Sequence, residues 1–189
     1  MSFSSKKQIG EELIQKIATG DQRAFEGLYR LYYKRLCQFA FLFLHSKELS
    51  EEAVSDVFFN VWMKREQLTS VRNICSYLYS SVRHQAIDYL RKKNIQYQDN
   101  INVYELEIES PEHTPDDMIE REQFRELLQQ ALDVLPERCR MIARMHFNDH
   151  LNYKEIAEIL EISRKTVEAQ IVIAIHKINE TFKKNGWNK

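Results

Sequence analysis

Apolar residues recur every three or four positions along most of the chain, which is the pattern of amphipathic helices. In the first half this periodicity predicts four helices. The first lies near residues 11–19, the second follows Asp21 as its N-cap, the third begins at Ser50, and the fourth covers residues 74–93. Acidic residues follow Ser50 directly, where the helix dipole favours them. The first half of the chain is therefore predicted to be helical.

A second group of helices is predicted after residue 117, and its last two members have the pattern of a helix-turn-helix. Helices over 118–134 and 136–147 come first, and Asn152 and Glu155 then have the spacing of a capping box. A turn at 161–163 leads into the last helix. Five residues of that helix share one face and are predicted to be core: Val167, Ile171, Ala174, Ile175 and Ile178.

The opposite face of the last helix is left free of packing in this prediction. Its residues are Lys165, Glu168, Ala169, Val172, Ile173 and His176. A free helix face beside a compact turn is what a helix that enters the major groove of DNA requires. The pattern favours a DNA-binding segment, and a purely structural helical hairpin is the alternative.

Helical periodicity fails between residues 94 and 117, where Pro111 and Pro115 occur among acidic and polar residues. Few glycines and prolines occur elsewhere, which agrees with long uninterrupted helices. The predicted fold is all-α, with two small helical domains at 1–94 and 118–189 joined by a flexible acidic linker at 95–117.

Charge is strongly segregated along the chain, although the net charge is only −1. Residues 1–95 contain 15 Lys and Arg against 10 Asp and Glu, residues 96–122 contain 1 against 9, and residues 123–189 contain 11 against 9. Two mildly basic parts are thus joined by an acidic one. The near-neutral total therefore does not argue against a polyanionic partner.

Composition and spacing argue against several classes of protein. No apolar run approaches the roughly 18 to 20 residues that span a bilayer, and the N-terminus lacks the apolar core of a signal peptide, so a cytoplasmic protein is expected. His146 and His150 have the spacing of metal ligands, but only Asp149 lies beside them, so no metal site is expected. Without a glycine-rich phosphate loop or an HExxH motif, we expect no enzyme activity, no cofactor and no small-molecule substrate.

The third and fourth helices carry candidate binding residues. In the third helix, burial of the apolar stripe leaves four residues outside, in a patch that suits a partner helix: Asp56, Phe59, Asn60 and Met63. A solvated helix face is the alternative. The fourth helix combines tyrosines with cationic residues, which can stack on unpaired bases and hold phosphates. Some of these tyrosines are expected in the core, and Tyr89 is the first candidate.

Three segments in a fixed order carry a family resemblance: SEEAVSDVFFNVW, SYLYSSVRHQAIDYLRKK and LPERCRMIARMHFNDHLNYKEIAEILEISRKTVEAQ. Taken together, with an acidic segment before the third, they resemble an extracytoplasmic-function sigma factor, the minimal two-domain class of the bacterial sigma-70 family. The segments NYKEIAEILEIS and KTVEAQ are similar to those of the iron-uptake-type branch common in Bacteroidetes. The resemblance covers residues 13–178.

The resemblance implies a promoter-specificity subunit that recruits core RNA polymerase, reads the minus-thirty-five element as duplex, and melts the minus-ten element. It assigns Asp56, Phe59, Asn60 and Met63 to the clamp coiled coil of the largest polymerase subunit. The fourth helix and the loop at 67–73 are expected to hold the minus-ten strand, through Tyr77, Tyr79, Arg83, His84, Arg91 and Lys92. Relatives usually carry Asn where His84 stands, which puts the base preference in doubt. A further implied partner is an anti-sigma factor at the inner membrane.

For the minus-thirty-five element, the expected contacts lie on the last helix. Arg164, Lys165 and Thr166 stand at its N-terminus, where side chains and free amides suit phosphates. Base contacts are expected from Glu168, Ala169, Gln170, Ile173 and His176, with Lys177 beside them. Since Gln pairs with adenine and Ala or Ile can only contact a thymine methyl, an A/T-rich element is expected. The alternative is that Val172 and Ile173 pack on a neighbouring helix and touch no DNA.

A transcription regulator of the response-regulator type is the rival hypothesis, because such proteins end in a helix-turn-helix with a similar TVE wording. Such a regulator usually carries an α/β receiver or ligand-binding domain. The N-terminal half of this chain shows no strand pattern, which favours the sigma factor.

Overall fold

The computed structural model describes residues 3–92 and 118–186, and describes side chains within 11–92 and 126–186. These residues contain helices and no strand: α1 (Phe3–Ala18), α2 (Gln22–Leu44), α3 (Lys47–Met63), a 3₁₀ helix (Arg65–Ser70), α4 (Ile74–Lys92), α5 (Met118–Asp133), α6 (Glu137–Phe147), α7 (Tyr153–Leu160) and α8 (Arg164–Lys184). No helix within the described ranges is long and apolar enough to cross a membrane. The all-α fold class is confirmed.

The chain divides into two compact units, Met1–Asn102 and Val103–Lys189. The predicted linker at 95–117 lies outside the described residues, so its flexibility and the domain boundaries on either side of it stay predictions. Each unit has its own apolar core, as expected of a separate domain.

In the first unit, α2, α3 and α4 pack against one another, and α1 packs against the 3₁₀ helix. The centre of the core is fully buried and consists of Leu28, Leu36, Phe39, Leu78 and Val82. One end is aromatic: the ring centroids of Tyr29 and Phe58 are 4.8 Å apart, and those of Phe25 and Trp62 are 5.0 Å apart. Of these four residues Phe58 is buried and the other three are half-buried, so the aromatic cluster forms one edge of the core.

The start of α2 is as predicted, whereas the start of α3 is not. The carboxylate of Asp21 accepts hydrogen bonds from the backbone amides of Arg23 and Ala24, at 2.9 and 3.1 Å. The predicted start of the third helix at Ser50 is wrong, because Ser46 is the N-cap and accepts from the Leu49 amide at 3.2 Å. Ser50 lies buried one turn inside α3, where its hydroxyl donates to the Ser46 carbonyl at 2.6 Å.

In the second unit, α8 packs against α5, α6 and α7. One core cluster is formed by Leu132, Leu135, Cys139, Ala143 and Ala174, with Leu128 and Ile178 packed against it. The predicted core stripe of the last helix is confirmed for Val167, Ile171 and Ala174, which are buried. The prediction for Ile175 is wrong: this residue is exposed, because it lies at the edge of the stripe, one position beyond Ala174.

Candidate protein and nucleic-acid interfaces

The outward face of α3 exposes two large apolar side chains near the C-terminal end of the helix. Phe59 is 64% exposed and Met63 is 60% exposed, and Asn60 beside them is also exposed. We call Phe59, Asn60 and Met63 the α3 patch. The neighbouring Trp62 is held in place, since the Arg65 guanidinium lies 4.9 Å from the centre of its ring. Exposed apolar groups on a well-supported helix are suited to a protein partner.

Asp56 does not belong to the α3 patch, which corrects the expectation that it faces outward. It is half-buried, and its Oδ2 atom accepts hydrogen bonds from the Tyr89 hydroxyl at 2.9 Å and from Gln85 Nε2 at 3.0 Å. Both donors lie on α4, four residues apart and therefore on one helix face. The periodicity of α3 alone could not reveal this contact, since its partners lie 29 and 33 residues further along the chain.

The tyrosines of α4 are in three different environments. Tyr77 is exposed, whereas Tyr79 is only 1% exposed and its ring meets that of Phe39 edge to face at 4.9 Å. Tyr79 is therefore a core residue, which corrects its assignment to base stacking, because a buried ring has no face free for a base. Tyr89 is half-buried; burial, and then its hydrogen bond to Asp56, raise the pKa of its hydroxyl. The prediction that some of these tyrosines are core is confirmed, but Tyr79 is the fully enclosed one.

The polar residues of α4 that are predicted to bind the minus-ten strand differ in their exposure to solvent. His84, Arg91 and Lys92 are exposed, while Arg83 is half-buried. Arg91 is within 3.5 Å of Asp88, and both side chains are largely exposed, so this ion pair is weak and leaves the guanidinium accessible to a phosphate. Together with Tyr77, these residues offer positive charge and one aromatic ring at the surface of α4.

The helix-turn-helix of α7 and α8 has the capping predicted for it. Asn152 Oδ1 accepts from the amides of Lys154 and Glu155 at 3.0 and 3.1 Å, and the Glu155 carboxylate accepts from the Asn152 amide at 2.8 Å, which completes the capping box. The turn needs a residue of positive φ, and Glu161 takes this conformation with φ of 52°. Ser163 then caps α8 by accepting from the Thr166 amide at 3.0 Å.

The N-terminus of α8 presents two cationic side chains to solvent. Arg164 and Lys165 are exposed, and neither forms an ion pair within the described parts of the chain. Thr166 is also exposed, but its hydroxyl lies 2.8 Å from that of Ser163 and takes part in the cap. The first turn of α8 therefore combines free backbone amides with unpaired positive charge, which suits a phosphate.

The rest of the predicted reading face divides into two parts. Glu168 and Ala169 are exposed, and Gln170 is half-buried. Further along α8, His176 Nδ1 lies 3.8 Å from one carboxylate oxygen of Glu180, and Lys177 Nζ lies 3.3 Å from the other. Hydrogen bonding and the charge of Lys177 lower the pKa of Glu180. The positive charge at this end of the face is therefore partly balanced within the helix.

Val172 and Ile173 are not covered by a neighbouring helix, since both are exposed and Ile173 retains 49% of its surface. Along with His176, they border a shallow groove whose other wall is the α5–α6 turn, formed by Val134, Leu135 and Pro136. The alternative in which these two residues are buried by packing is therefore not what the structure contains. Both side chains remain available to a ligand.

Comparison with known families separates the same two units. Residues 28–95 match the family model of sigma-70 region 2, and residues 125–175 match that of sigma-70 region 4. Together the two matches cover more than half of the chain, in the order that sigma factors have them. The chain belongs to the extracytoplasmic-function class of the sigma-70 family.

Two curated relatives align with this chain over nearly its whole length. The chain is 25% identical to the ECF RNA polymerase sigma factor SigW of Bacillus subtilis, over 90% of this chain and 93% of that protein. It is 22% identical to the ECF RNA polymerase sigma-E factor of Escherichia coli K12, over 93% of this chain and 95% of that protein. In the solved structure of sigma factor RpoE from Bartonella quintana, bound to the anti-sigma factor NepR, 96% of the chain aligns with 84% of this one, at 19% identity and a TM-score of 0.51, which shows a shared fold.

As a sigma factor, this protein directs core RNA polymerase to promoters and starts transcription there. The region 2 match contains the α3 patch and α4, and the region 4 match contains the helix-turn-helix. The match to region 2 is also what separates the chain from a response regulator, whose N-terminal half would be an α/β domain. The region 4 match ends at residue 175, so His176 and Lys177 lie beyond it.

Proposed function

We propose that three helices of the sigma factor each bind a different partner. The α3 patch binds core polymerase, α4 holds the opened minus-ten strand, and α8 reads the minus-thirty-five duplex. The observation that carries this proposal is that each helix exposes chemistry of the required kind: apolar side chains on α3, an aromatic ring with cations on α4, and unpaired cations at the N-terminus of α8.

On α4, Tyr77 stacks on an unpaired base in this proposal, while cations further along the helix hold phosphates of the same strand. The cations are Arg83, Arg91 and Lys92. His84 faces a base at the position where relatives usually carry Asn. An imidazole offers fewer donors and acceptors than an amide, so its base preference differs.

On α8, Arg164, Lys165 and Thr166 contact phosphates and fix the register of the helix on the duplex. The base edges face Glu168, Ala169, Gln170 and Ile173, with His176 and Lys177 at the end of the contact. The residues available favour thymine and adenine over guanine, because none of the four is the arginine or lysine that grips guanine most often. An A/T-rich minus-thirty-five element follows.

We also infer that the protein works in the cytoplasm, where its polymerase and promoter are, and that an anti-sigma factor at the inner membrane restrains it. The solved sigma factor of similar fold was bound to an anti-sigma factor, which supports an anti-sigma partner for this chain but says nothing of its location. Assignment to the iron-uptake-type branch of Bacteroidetes rests on the NYKEIAEILEIS and KTVEAQ wording.

The test of the proposed function is transcription by purified core polymerase to which only this chain is added, on promoters selected from genomic DNA by the assembled holoenzyme. We expect specific transcripts in the absence of any other sigma factor. If transcripts appeared only when a second sigma factor was present, the chain would be an activator and the proposal would fail.

The α3 patch is tested with Phe59→Ala combined with Met63→Ala. We expect this variant to keep its helical circular dichroism and to bind core polymerase at least tenfold more weakly, since two exposed apolar anchors are lost. Leu31→Ala is the matched control, because Leu31 is an exposed apolar residue of the same unit on α2. Equal losses in both variants would remove the patch as a specific contact.

A further inference from the structure

The contact between Asp56 and α4 joins the helix proposed to bind polymerase to the helix proposed to hold the melted strand. Asp56 lies one turn before Asn60 of the α3 patch. Its two partners lie on α4: Gln85 directly follows His84, and Tyr89 lies one turn further along the helix. A single carboxylate oxygen accepts both hydrogen bonds, at 3.0 and 2.9 Å, so one atom fixes two points of α4 relative to α3.

This contact is stronger and more directional than the apolar packing around it. Hydrogen bonds to an ionised acceptor are shorter and stronger than neutral ones, and partial burial increases their strength further. The residues of α4 that face the core include Leu78, Val82, Ala86 and Leu90, whose contacts are less directional than a hydrogen bond. The two hydrogen bonds therefore add a directional constraint on the rotation of α4 about its own axis to the constraint that the packing supplies.

The rotation of α4 about its axis matters because the residues proposed to bind DNA and the residues buried in the core lie on different faces of this helix. A helix turned by one residue position, about 100°, moves a side chain from one face to another, and much smaller turns misplace a planar stacking ring. Tyr77 and His84 are exposed, and the same helix carries the buried Tyr79. The rotation of α4 about its axis thus determines which aromatic ring faces the DNA.

We propose that Asp56 is a positioning residue for promoter opening: through Tyr89 and Gln85 it holds α4 in the orientation in which polymerase-anchored α3 presents Tyr77 and His84 to the minus-ten strand. This rests on the proposed function of α3 and α4. It replaces the expectation that Asp56 itself touches the polymerase.

The Tyr89 hydroxyl remains a hydrogen-bond donor near neutral pH. Burial and the neighbouring carboxylates of Asp56 and Glu52 raise the pKa of the Tyr89 hydroxyl, which therefore remains a protonated donor.

The experiment is a double-mutant cycle with Asp56→Ala and Tyr89→Phe, in the intact chain assembled with core polymerase. Three quantities are measured for each variant: the affinity for core polymerase, the affinity of the closed promoter complex, and the rate at which that complex isomerises to the open form. We expect both single variants to slow isomerisation about tenfold, with the first two affinities within twofold of the wild type. The double variant should be no slower than Asp56→Ala alone, because both substitutions break the same contact.

Two further variants separate positioning from simple loss of stability. Asp56→Asn keeps an accepting oxygen and should recover part of the isomerisation rate. Ile17→Val weakens the same unit at a buried site on α1, a helix that packs mainly on the 3₁₀ helix and α2, and should lower the melting temperature without slowing isomerisation. If Ile17→Val slowed isomerisation as much as Tyr89→Phe at equal loss of melting temperature, the proposal would be overturned.

The outcomes also distinguish this inference from the proposed function. Weaker core binding by Asp56→Ala, with normal binding by Tyr89→Phe, would return Asp56 to the polymerase contact and refute the positioning role. Unchanged isomerisation in both variants would refute it as well, while leaving α3 and α4 in their proposed functions. A wild-type chain that failed to start transcription with core polymerase would instead refute the proposed function.

Discussion

The three tyrosines of α4 differ in what they touch, and this difference assigns them different roles. Tyr79 fills the core against Phe39, Tyr89 donates to Asp56, and Tyr77 alone presents its ring to solvent. All three have similar sequence surroundings and lie on one helix. Only Tyr77 has the free ring face that stacking on an unpaired base requires.

Substitution of Tyr77 should therefore weaken DNA binding, whereas substitution of Tyr79 should lower the stability of the first unit. We expect Tyr77→Ala to leave the melting temperature nearly unchanged and to weaken binding of a minus-ten single strand by about 1–3 kcal/mol in the holoenzyme. Tyr79→Ala removes a fully buried ring and should destabilise the first unit by about 3–5 kcal/mol. Thermal melting and fluorescence anisotropy measure the two effects. A Tyr77→Ala variant that unfolded, or one that bound the strand normally, would contradict this assignment.

Glu161 occupies the position in the helix-turn-helix where glycine is most often found. Its φ of 52° places it in the left-handed region, which costs a residue with a Cβ atom about 1 kcal/mol. Glu161→Gly should therefore stabilise the second unit by about 0.5–1 kcal/mol, as measured by denaturant unfolding. Glu158→Gly, an exposed position in the interior of α7, is the control and should destabilise it by about the same amount. Destabilisation by both variants would show that the side chain of Glu161 outweighs its backbone cost.

At the scale of elements, local rules predicted the helices well and their exact starts less well. Asp21 and Asn152 cap α2 and α7 as their spacing indicated, because an N-cap is a contact within three residues. The start of α3 was placed too late because Ser46 and Ser50 both precede acidic residues, and only the structure shows which serine caps. Ser50 hydrogen-bonds one turn back instead, as serines inside helices do.

Contacts between helices were the part of the candidate site that the sequence could not predict. The periodicity of α3 placed Phe59 and Met63 outside correctly, since their exposure depends on α3 itself. The environment of Asp56 depends on a residue 33 positions away, and no spacing within either helix encodes that pairing. The same limit applies to Tyr79 and Tyr89, whose burial is decided by the helices that pack on α4.

The exposed Ile173 of α8 provides a test of how this helix reads DNA. If Ile173 contacts a thymine methyl, replacement of that thymine by uracil should weaken binding by about 1 kcal/mol for the wild type and have no effect for Ile173→Ala. Binding is measured on a duplex minus-thirty-five element scanned one thymine at a time. Ile175→Ala is the matched control, since Ile175 is an exposed isoleucine of α8 on another face. If every thymine could be replaced without effect, Ile173 would belong to the groove beside Val134 and not to the DNA contact.

At the scale of the whole molecule, the two units have separate cores and separate predicted tasks. Residues 1–95 carry 15 Lys and Arg against 10 Asp and Glu, and residues 123–189 carry 11 against 9, while residues 96–122 carry 1 against 9. In the proposed function, promoter recognition combines two modest DNA contacts, and their covalent connection converts the second contact into an intramolecular one. The connection should matter to promoter binding and not to the folding of either unit.

This separation can be tested by cutting a single chain. A specific protease site placed within residues 95–117 gives cut and uncut proteins of the same composition. Because each unit buries its own core, both should melt at unchanged temperatures after cutting. Promoter-specific initiation by the cut protein should require a concentration on the order of 100-fold higher, since the effective concentration of the second contact is lost. Lower melting temperatures after cutting would mean that the units stabilise each other, and initiation at the original concentration would mean that core polymerase alone holds both units in place.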